Sequence, residues 1–118
     1  GNEPVLSISK SLNPLSVPVN GTLTYTFIIR NTGFTEAADE DNIVIRDVFD
    51  PILDITSVKL NGTALTPATG YTYDRTTGTF ATVAGAVTVP AATFEQNALS
   101  GAYSITPGAA ILTITGTV

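Results

Sequence analysis

Residues 22–30, TLTYTFIIR, constrain the fold of this chain more than any other stretch, because apolar and polar side chains alternate along them. Successive side chains of a β-strand point to opposite faces of the sheet. Leu23, Tyr25, Phe27 and Ile29 therefore share one face, and threonines occupy most of the other. The stretch predicts a strand with one face buried against a second layer and the other face in water.

The composition agrees with a chain built mainly from such strands. The chain has 118 residues, of which 20 are threonine, and only 13% are charged. Threonine is β-branched and suits a pleated, half-buried surface, whereas amphipathic helices need many more charged residues. The length suits one domain with one core, so residues 1–118 are expected to form one all-β module.

Turn signals divide the chain into short strands at intervals of roughly ten residues. Asn-Gly pairs at 20–21 and 61–62 and Thr-Gly at 77–78 predict reversals, the last two within hairpins. Residues 86–94 read as a strand that Pro90 interrupts, which favours an edge position or a bulge. About eight strands result, and the pattern predicts an antiparallel, immunoglobulin-like β-sandwich. The expected core residues are Leu23, Tyr25, Phe27, Ile29, Ile43, Ile45, Leu112 and Ile114.

Charge and residue usage argue against several classes of function. Ten acidic residues oppose five basic ones, so the formal net charge is −5 and the chain lacks the basic surface that nucleic acids require. Cysteine and histidine are absent, which removes thiol and imidazole catalysis and the usual zinc ligands. Asp47, Asp50 and Asp54 lie on or beside strands with no sign of a cleft. We expect no enzyme, no cofactor and no insertion into a membrane, in a piece of a longer protein.

One lysine lies where the strand pattern calls for an apolar side chain. In residues 5–12, VLSISKSL, the even positions are apolar except Lys10. In residues 42–50, NIVIRDVFD, the odd positions from 43 to 49 are apolar except Asp47. Both charged groups should therefore point toward the core. We expect them to lie close together, as a buried or half-buried ion pair or with the ammonium group reaching water along the lysine stem, unless a bulge reverses one of the two rows.

The ordered set of strands resembles a known family. VLSISKSLNP, VNGTLTYTFIIRNTG, NIVIRDVFDP, GYTYDRTTGTF and SITPGAAILTITGTV follow one another across nearly the whole chain. This order is similar to the conserved repeat domain that occurs in tandem in large bacterial cell-surface proteins, the domain of unknown function eleven. The resemblance implies an immunoglobulin-like sandwich, an extracellular location at the cell surface or cell wall, and a spacer or adhesive role beside neighbouring repeats of the same chain.

The layout is also similar to fimbrial and pilin sandwich domains that form a lysine to asparagine isopeptide bond beside a buried acid. That resemblance implies that Lys10 matches the nucleophile and Asp47 the acid. Burial lowers the pKa of a lysine and raises that of a carboxylic acid, which would suit the attack of the amine. These residues include no acceptor, because the inward row of the last strand holds Leu112, Ile114, Gly116 and Val118; an acceptor beyond Val118 is the alternative that stays open. The expectation is therefore a noncovalent pair.

Three further groups of residues are weaker candidates. Glu36, Asp39, Glu40 and Asp41 supply oxygen atoms suitable for calcium, but their spacing matches no EF-hand, and a solvated acidic loop is the favoured interpretation. Asn20 and Asn61 each begin an Asn-Gly-Thr sequon, yet each also lies at a predicted turn. Aromatic side chains that either bind a sugar or cover the rim of the core form the third group. Its members are Tyr71, Tyr73, Phe80 and Tyr103.

Two classes of function remain open. A structural or adhesive module should work in tandem, with its two ends on opposite sides of the sandwich. A module that binds a host or cell-wall protein or a glycan should instead show a concave site lined with convergent polar or aromatic groups. The sequence favours the first class.

Overall fold

The computed structural model describes residues 3–118 and has an all-β, antiparallel architecture. A short 3-10 helix, Asp39–Asp41, interrupts the strands. No helix among the described residues is long and apolar enough to cross a membrane. The strands are β1 (Leu6–Asn13), β2 (Thr22–Asn31), β3 (Arg46–Val48), β4 (Asp54–Leu60), β5 (Thr63–Ala64), β6 (Tyr71–Asp74), β7 (Thr79–Thr82), β8 (Thr93–Gln96), β9 (Tyr103–Thr106) and β10 (Gly108–Thr117).

The strands form three antiparallel sheets. The largest has the order β1-β2-β10-β4-β5, and a second sheet has the order β3-β7-β6. These two sheets pack face to face in a sandwich-like arrangement, with the shared core between them. Strands β8 and β9 pair only with each other and make a two-stranded hairpin. The predicted fold class is confirmed, with ten strands in place of about eight.

The alternation in β2 defines the core as expected. Leu23, Tyr25, Phe27 and Ile29 are each at most 4% exposed, whereas the threonines between them are partly exposed. Strand β10 pairs with β2 over its full length and places fully buried side chains beside them. Ile43 is only partly buried at the margin of this core, which corrects its predicted place inside it. The buried apolar residues from the rest of the chain include Ile45, Phe49, Leu53, Val58, Phe80, Val87, Val89, Leu112 and Ile114.

Two hairpins have the predicted turns. Asn61 and Gly62 adopt positive φ angles of 51° and 81° between β4 and β5, the conformation that a two-residue turn requires. Gly78 has a φ of 77° between β6 and β7. Residues 86–94 differ from the expectation, because Pro90 separates two short pieces rather than marking a bulge in one strand. Val89 forms an isolated bridge with Ala37, and β8 begins only after the proline.

Strand β1 lies with its apolar row on the inward side but is poorly covered. Ile8, Lys10 and Leu12 face Ile29, Phe27 and Tyr25 across the β1–β2 ladder, and paired residues of antiparallel strands point to the same face. Ile8 is nevertheless 55% exposed. The cause is that β1 is an edge strand of a five-stranded sheet, whereas the facing sheet has three strands and its edge strand β3 has only three residues.

The first and last strands leave the sandwich at opposite ends. β1 begins beside Asn31, and β10 ends beside Thr22, at the other end of β2. We call the end at Asn31 the first pole and the end at Thr22 the second pole. The molecule extends 54 Å along its longest axis. The β8–β9 hairpin directly precedes β10 and therefore lies at the first pole, where Ala92 donates a hydrogen bond to the carbonyl of Gly33.

Candidate functional site

Lys10 and Asp47 meet where the open edges of the two sheets approach each other. Lys10 belongs to β1 of the large sheet, and Asp47 belongs to β3 of the facing sheet. The Lys10 Nζ atom lies 2.5 Å from Asp47 Oδ2. The structure thus brings together the two residues singled out by the strand pattern, and their ion pair connects the two layers.

The two partners are unequally buried, which the strand pattern alone does not reveal. The Lys10 side chain is 44% exposed, whereas that of Asp47 is 21% exposed. Asp47 Oδ1 accepts a hydrogen bond from the Val48 amide at 2.9 Å. Oδ2 is shielded from water and accepts no hydrogen bond from the described residues, and its close neighbour of opposite charge is Lys10 Nζ. The ammonium charge is therefore what compensates this oxygen.

An aromatic stack supports the ion pair from below. The Lys10 Nζ atom lies 4.9 Å from the ring centre of Tyr25, within the range of a cation–π contact. Tyr25 stacks on Phe49 with a centroid distance of 4.6 Å and an interplanar angle of 13°. Phe49 in turn packs against Tyr73 and Phe80. The pair is thus attached to the centre of the core, although it lies at the open edge.

The contact between Lys10 and Asp47 has the geometry of an ion pair, and we expect the pair to be noncovalent. A half-exposed ammonium group held in an ion pair has no free electron pair for attack on a carboxyl carbon. We therefore predict that the intact mass of the purified chain equals the mass of its sequence. A deficit of one water or one ammonia, assigned to a peptide crosslinked through Lys10, would contradict this prediction.

The unequal burial of the two partners decides which substitution should cost more stability. In a fully buried pair, removal of the acid would be the more costly change, whereas here we expect removal of the lysine to be the more costly one. Asp47→Ala frees an ammonium group that can turn to water, so we expect a loss of about 0 to 1 kcal/mol of unfolding free energy. Lys10→Met strands the shielded Oδ2 atom and removes the cation–π contact, so we expect a loss of about 1 to 3 kcal/mol. Urea denaturation measures both values.

The double variant and a second lysine serve as controls. Lys10→Met combined with Asp47→Ala should cost less than the sum of the single changes, because the stranded oxygen is then absent. Lys59→Met, at an exposed lysine of β4, should change the free energy of unfolding by less than about 0.5 kcal/mol. Additive single changes, or equal losses at Lys10 and Lys59, would rule out a coupled pair.

Two core tyrosines predict a loss of stability in alkali. Burial raises the pKa of Tyr25 and of Tyr73 above the ordinary value of 10.0. The folded state keeps these phenols neutral, so their contribution to stability is complete below about pH 10 and is lost as the pH rises through the folded pKa values. Urea denaturation between about pH 8 and pH 11 measures the decline. Tyr25→Phe should flatten it, whereas Tyr103→Phe, at an exposed tyrosine, should not.

The acidic side chains of the loop around the 3-10 helix do not converge on one point in the described part of the chain. No group of three or more acidic, histidine or cysteine side chains converges among residues 3–118. Asp41 Oδ2 accepts a hydrogen bond from the Ala38 amide, and Asp39 Oδ1 accepts one from the Glu40 amide. These carboxylates stabilise the turn around the 3-10 helix. Glu36 belongs to no such group either, so the geometry does not support the calcium hypothesis.

The four aromatic residues considered for sugar binding do not share a surface. Phe80 is fully buried, because its side chain points into the core from the central strand of the small sheet. The Tyr73 hydroxyl donates to the Leu53 carbonyl at 2.7 Å and accepts from the Leu53 amide. Tyr71 stacks on Phe80, and Tyr103 lies on the hairpin at the first pole. The four side chains therefore do not form one sugar-stacking platform, and Phe80 lies inside the core and not at its rim.

Tyr71 and Tyr73 do line an open cleft of about 580 Å³ beside the start of β4. Arg75 and Asp54 form an ion pair at its rim, and both side chains are largely exposed. Three of the polar side chains at this cleft already have partners within the protein, since Tyr73 binds Leu53 and Arg75 binds Asp54. The cleft has the aromatic walls of a ligand site but few unpaired polar groups to orient a ligand.

Both asparagines of the Asn-Gly-Thr sequons have structural roles. Asn61 Oδ1 accepts a hydrogen bond from the Ile111 amide, and the Asn61 amide donates to the Ile111 carbonyl. Asn20 adopts a φ of 67°, and its amide donates to the carbonyl of Val118. These contacts explain why an asparagine that tolerates the left-handed conformation stands at each position.

Sequence reasoning overlooked two features at the first pole. Asn31 is fully buried, and its side chain makes three hydrogen bonds to the backbone. The β8–β9 hairpin also went unrecognised, although residues 93–106 carry the signal of two short alternating runs around Asn97 and Gly101. Both features lie at the first pole, near the start of β1.

No protein-family model, no curated protein and no solved structure matches the chain.

Proposed function

We propose that this chain is a non-enzymatic structural module of an exported bacterial cell-surface protein, where it serves as a spacer or adhesive repeat. The observation that carries the proposal is the opposite placement of the two chain ends. β1 begins at the first pole and β10 ends at the second, so copies joined in sequence would extend in a line. The resemblance of the sequence to the tandem cell-surface repeat, which implies an immunoglobulin-like layout, supports the same role.

The strand arrangement suits a module that carries tension. β1 and β10 run in the same direction on either side of β2, and each pairs with it through eight or more residue positions. Hydrogen bonds between antiparallel strands lie perpendicular to the strands. A pull on the two ends therefore loads both ladders in shear, with all bonds of a ladder sharing the force.

Single-molecule force spectroscopy tests the mechanical part of the proposal. The chain contains no cysteine, so introduced cysteines give unique attachment points. Pulling between residues 3 and 118 should require a clearly higher force than pulling a Val5→Cys, Thr32→Cys variant, in which both handles are at the first pole and β1 peels from β2 one bond at a time. Equal forces in the two geometries would remove the mechanical argument.

The sequence of the parent protein tests the location and the repeat arrangement. We expect an export signal before this module and similar modules beside it. A short parent protein that stays in the cytoplasm and contains no second copy would refute the proposed function.

A ligand-binding module is the second candidate, favoured by the cleft that contains Tyr71 and Tyr73. A carbohydrate or protein ligand at this cleft would shift the NMR signals of these two rings. Titration of the chain with cell-wall glycans, with Tyr71→Ala as the control, would decide for this candidate if saturable shifts appear and vanish in the variant.

A further inference from the structure

The β8–β9 hairpin presents an apolar face that the rest of the described chain leaves uncovered. Phe94 pairs with Ile105 across the hairpin, and Tyr103 lies on the same face two pairs further along, opposite Gln96. Phe34 meets Phe94 edge to face with a centroid distance of 5.9 Å. All four side chains are more than half exposed. We call this surface the aromatic face, composed of Phe34, Phe94, Tyr103 and Ile105.

This exposure is unusual for a stable structure in water. A two-stranded hairpin alone is marginally stable, and it normally needs a further strand or layer over its apolar side. Contiguous exposed apolar surface on a folded protein commonly marks an interaction site. At the hairpin tip, Leu99 is 99% exposed and extends the apolar surface outward. The aromatic face therefore fits a partner surface that is also apolar.

The second pole offers an apolar surface of this kind. The loop at residues 14–21 joins β1 to β2, and it displays Leu15 and Val19, which are 87% and 80% exposed. The loop is anchored next to the end of β10, because the Asn20 amide donates to the Val118 carbonyl and the Val118 amide donates to the Gly21 carbonyl. The two apolar surfaces thus lie at opposite ends of the molecule.

Charge explains why a second copy of the chain suits this contact. Each copy carries a formal net charge of −5, so two copies repel unless they meet through surfaces without charge. Residues 11–29, which include the loop of the second pole, contain no charged residue, and residues 96–118 contain none either. The aromatic face is also free of charged side chains. These two surfaces can meet without placing like charges together.

We infer that the aromatic face at the first pole of one copy docks on the 14–21 loop at the second pole of the copy before it. The inference rests on the proposed function as a tandem module, and it names the surfaces through which successive modules touch. The contact joins two different surfaces, so it repeats along a line and does not close into a symmetric dimer. Tethered neighbours meet at an effective concentration of about 1 mM, so a weak contact is enough to order the array.

Disulfide trapping between two single-cysteine variants tests the inference. Ala98→Cys places a thiol at the hairpin tip, and Ser16→Cys places one in the loop of the second pole, both at exposed positions. The two variants are mixed in equal amounts at about 1 mM, the concentration that tethering would supply, and oxidised slowly. Head-to-tail docking should make the mixed 16–98 disulfide dominate clearly over the two symmetric products.

A substitution in the aromatic face tests whether the mixed disulfide depends on docking through that face. Phe94→Ser in the Ala98→Cys chain should reduce the yield of the mixed disulfide about five-fold or more, since it removes an aromatic anchor. Val48→Ser, at an exposed apolar residue of β3 away from both poles, is the matched control and should leave the yield unchanged. Circular dichroism confirms that both variants are folded.

Each alternative result has a definite meaning. A dominant 98–98 product would show hairpin-to-hairpin pairing and overturn the inference, as would a random distribution or a yield that Phe94→Ser does not change. The outcome is separable from the proposed function. A parent protein with tandem modules and a random disulfide distribution would overturn the docking alone, whereas a cytoplasmic parent without repeats would refute the function even if the mixed disulfide dominates.

Discussion

Phe49→Ala is expected to lower the free energy of unfolding by about 3 to 5 kcal/mol, the range for truncation of a buried aromatic ring. Phe49 is 1% exposed and contacts three other rings, with centroid distances of 4.6 Å to Tyr25, 5.8 Å to Phe80 and 5.9 Å to Tyr73. Removing the ring leaves a cavity between the two sheets. It also removes the support beneath the tyrosine that contacts Lys10.

The loss is large compared with the total stability of an ordinary domain, which is about 5 to 15 kcal/mol. Urea denaturation at neutral pH measures it. Phe94→Ala is the matched control, since it removes the same ring from the exposed hairpin and should cost less than about 1 kcal/mol. A loss at Phe49 no larger than the loss at Phe94 would contradict the arrangement of the core.

The alternating pattern predicted the buried row of β2 correctly, because the strands on either side of β2 carry the same alternation. Strand β2 lies between β1 and β10, so its apolar row has strands on both sides and the small sheet above it. The turns at residues 61–62 and 77–78 were predictable for a local reason. Each contains a glycine at a positive φ angle, and the requirement is independent of tertiary structure.

The burial of β1 was not predictable, because it depends on the facing layer. The even-numbered side chains of β1 point toward the core as predicted. However, β3 is too short to cover them, and Lys10 consequently remains half exposed. Nothing in residues 5–12 states how far a distant strand will extend. The same limit applies to Phe80, which alternation alone could place either at the rim or in the centre of the core.

In strand β4, a local irregularity breaks the alternation of inward and outward side chains. Its pairing with β10 shifts register between Thr115 and Gly116. Val58 is buried after the shift, whereas Ile55, before it, is only partly buried and lies at an odd position. A bulge of this kind lets both ends of a strand present apolar side chains to the core. Strict alternation along all of β4 would instead place either Ile55 or Val58 on the face that is exposed to water.

Asn31 is the residue at which a loss of side-chain hydrogen bonds should have the largest effect. Its Oδ1 atom accepts from the Val5 amide at 3.0 Å and from the Gly33 amide at 2.9 Å, and its Nδ2 atom donates to the Thr35 carbonyl at 2.8 Å. The side chain is fully buried. It therefore fastens the start of β1 to the loop after β2 at the first pole.

Asn31→Ala is expected to cost about 3 kcal/mol, because truncation leaves backbone groups without partners at a site closed to water. Hydrogen exchange should show where the loss acts. The Val5 and Gly33 amides should exchange faster, whereas the Val118 amide, which binds Gly21 at the second pole, should keep its protection apart from the global loss. A change below about 0.5 kcal/mol would show that water replaces the side chain.

Asn31→Asp separates the two sides of this network. A carboxylate keeps the acceptor for the Val5 and Gly33 amides, which favours its charged form, but it is fully buried and places an oxygen against the Thr35 carbonyl, and we expect these two unfavourable effects to outweigh the amide contacts. The pKa of the new carboxyl should therefore be raised by folding. Its favourable contribution should be complete below about pH 4, the ordinary value, and should be lost as the pH rises through the folded pKa. A variant that is equally stable at pH 4 and pH 7, after correction for the parent chain, would show that the Thr35 contact contributes little.

Under the proposed mechanical role, the same network transmits tension into β1, so Asn31→Ala should also lower the force at which the module unfolds when pulled from its two ends.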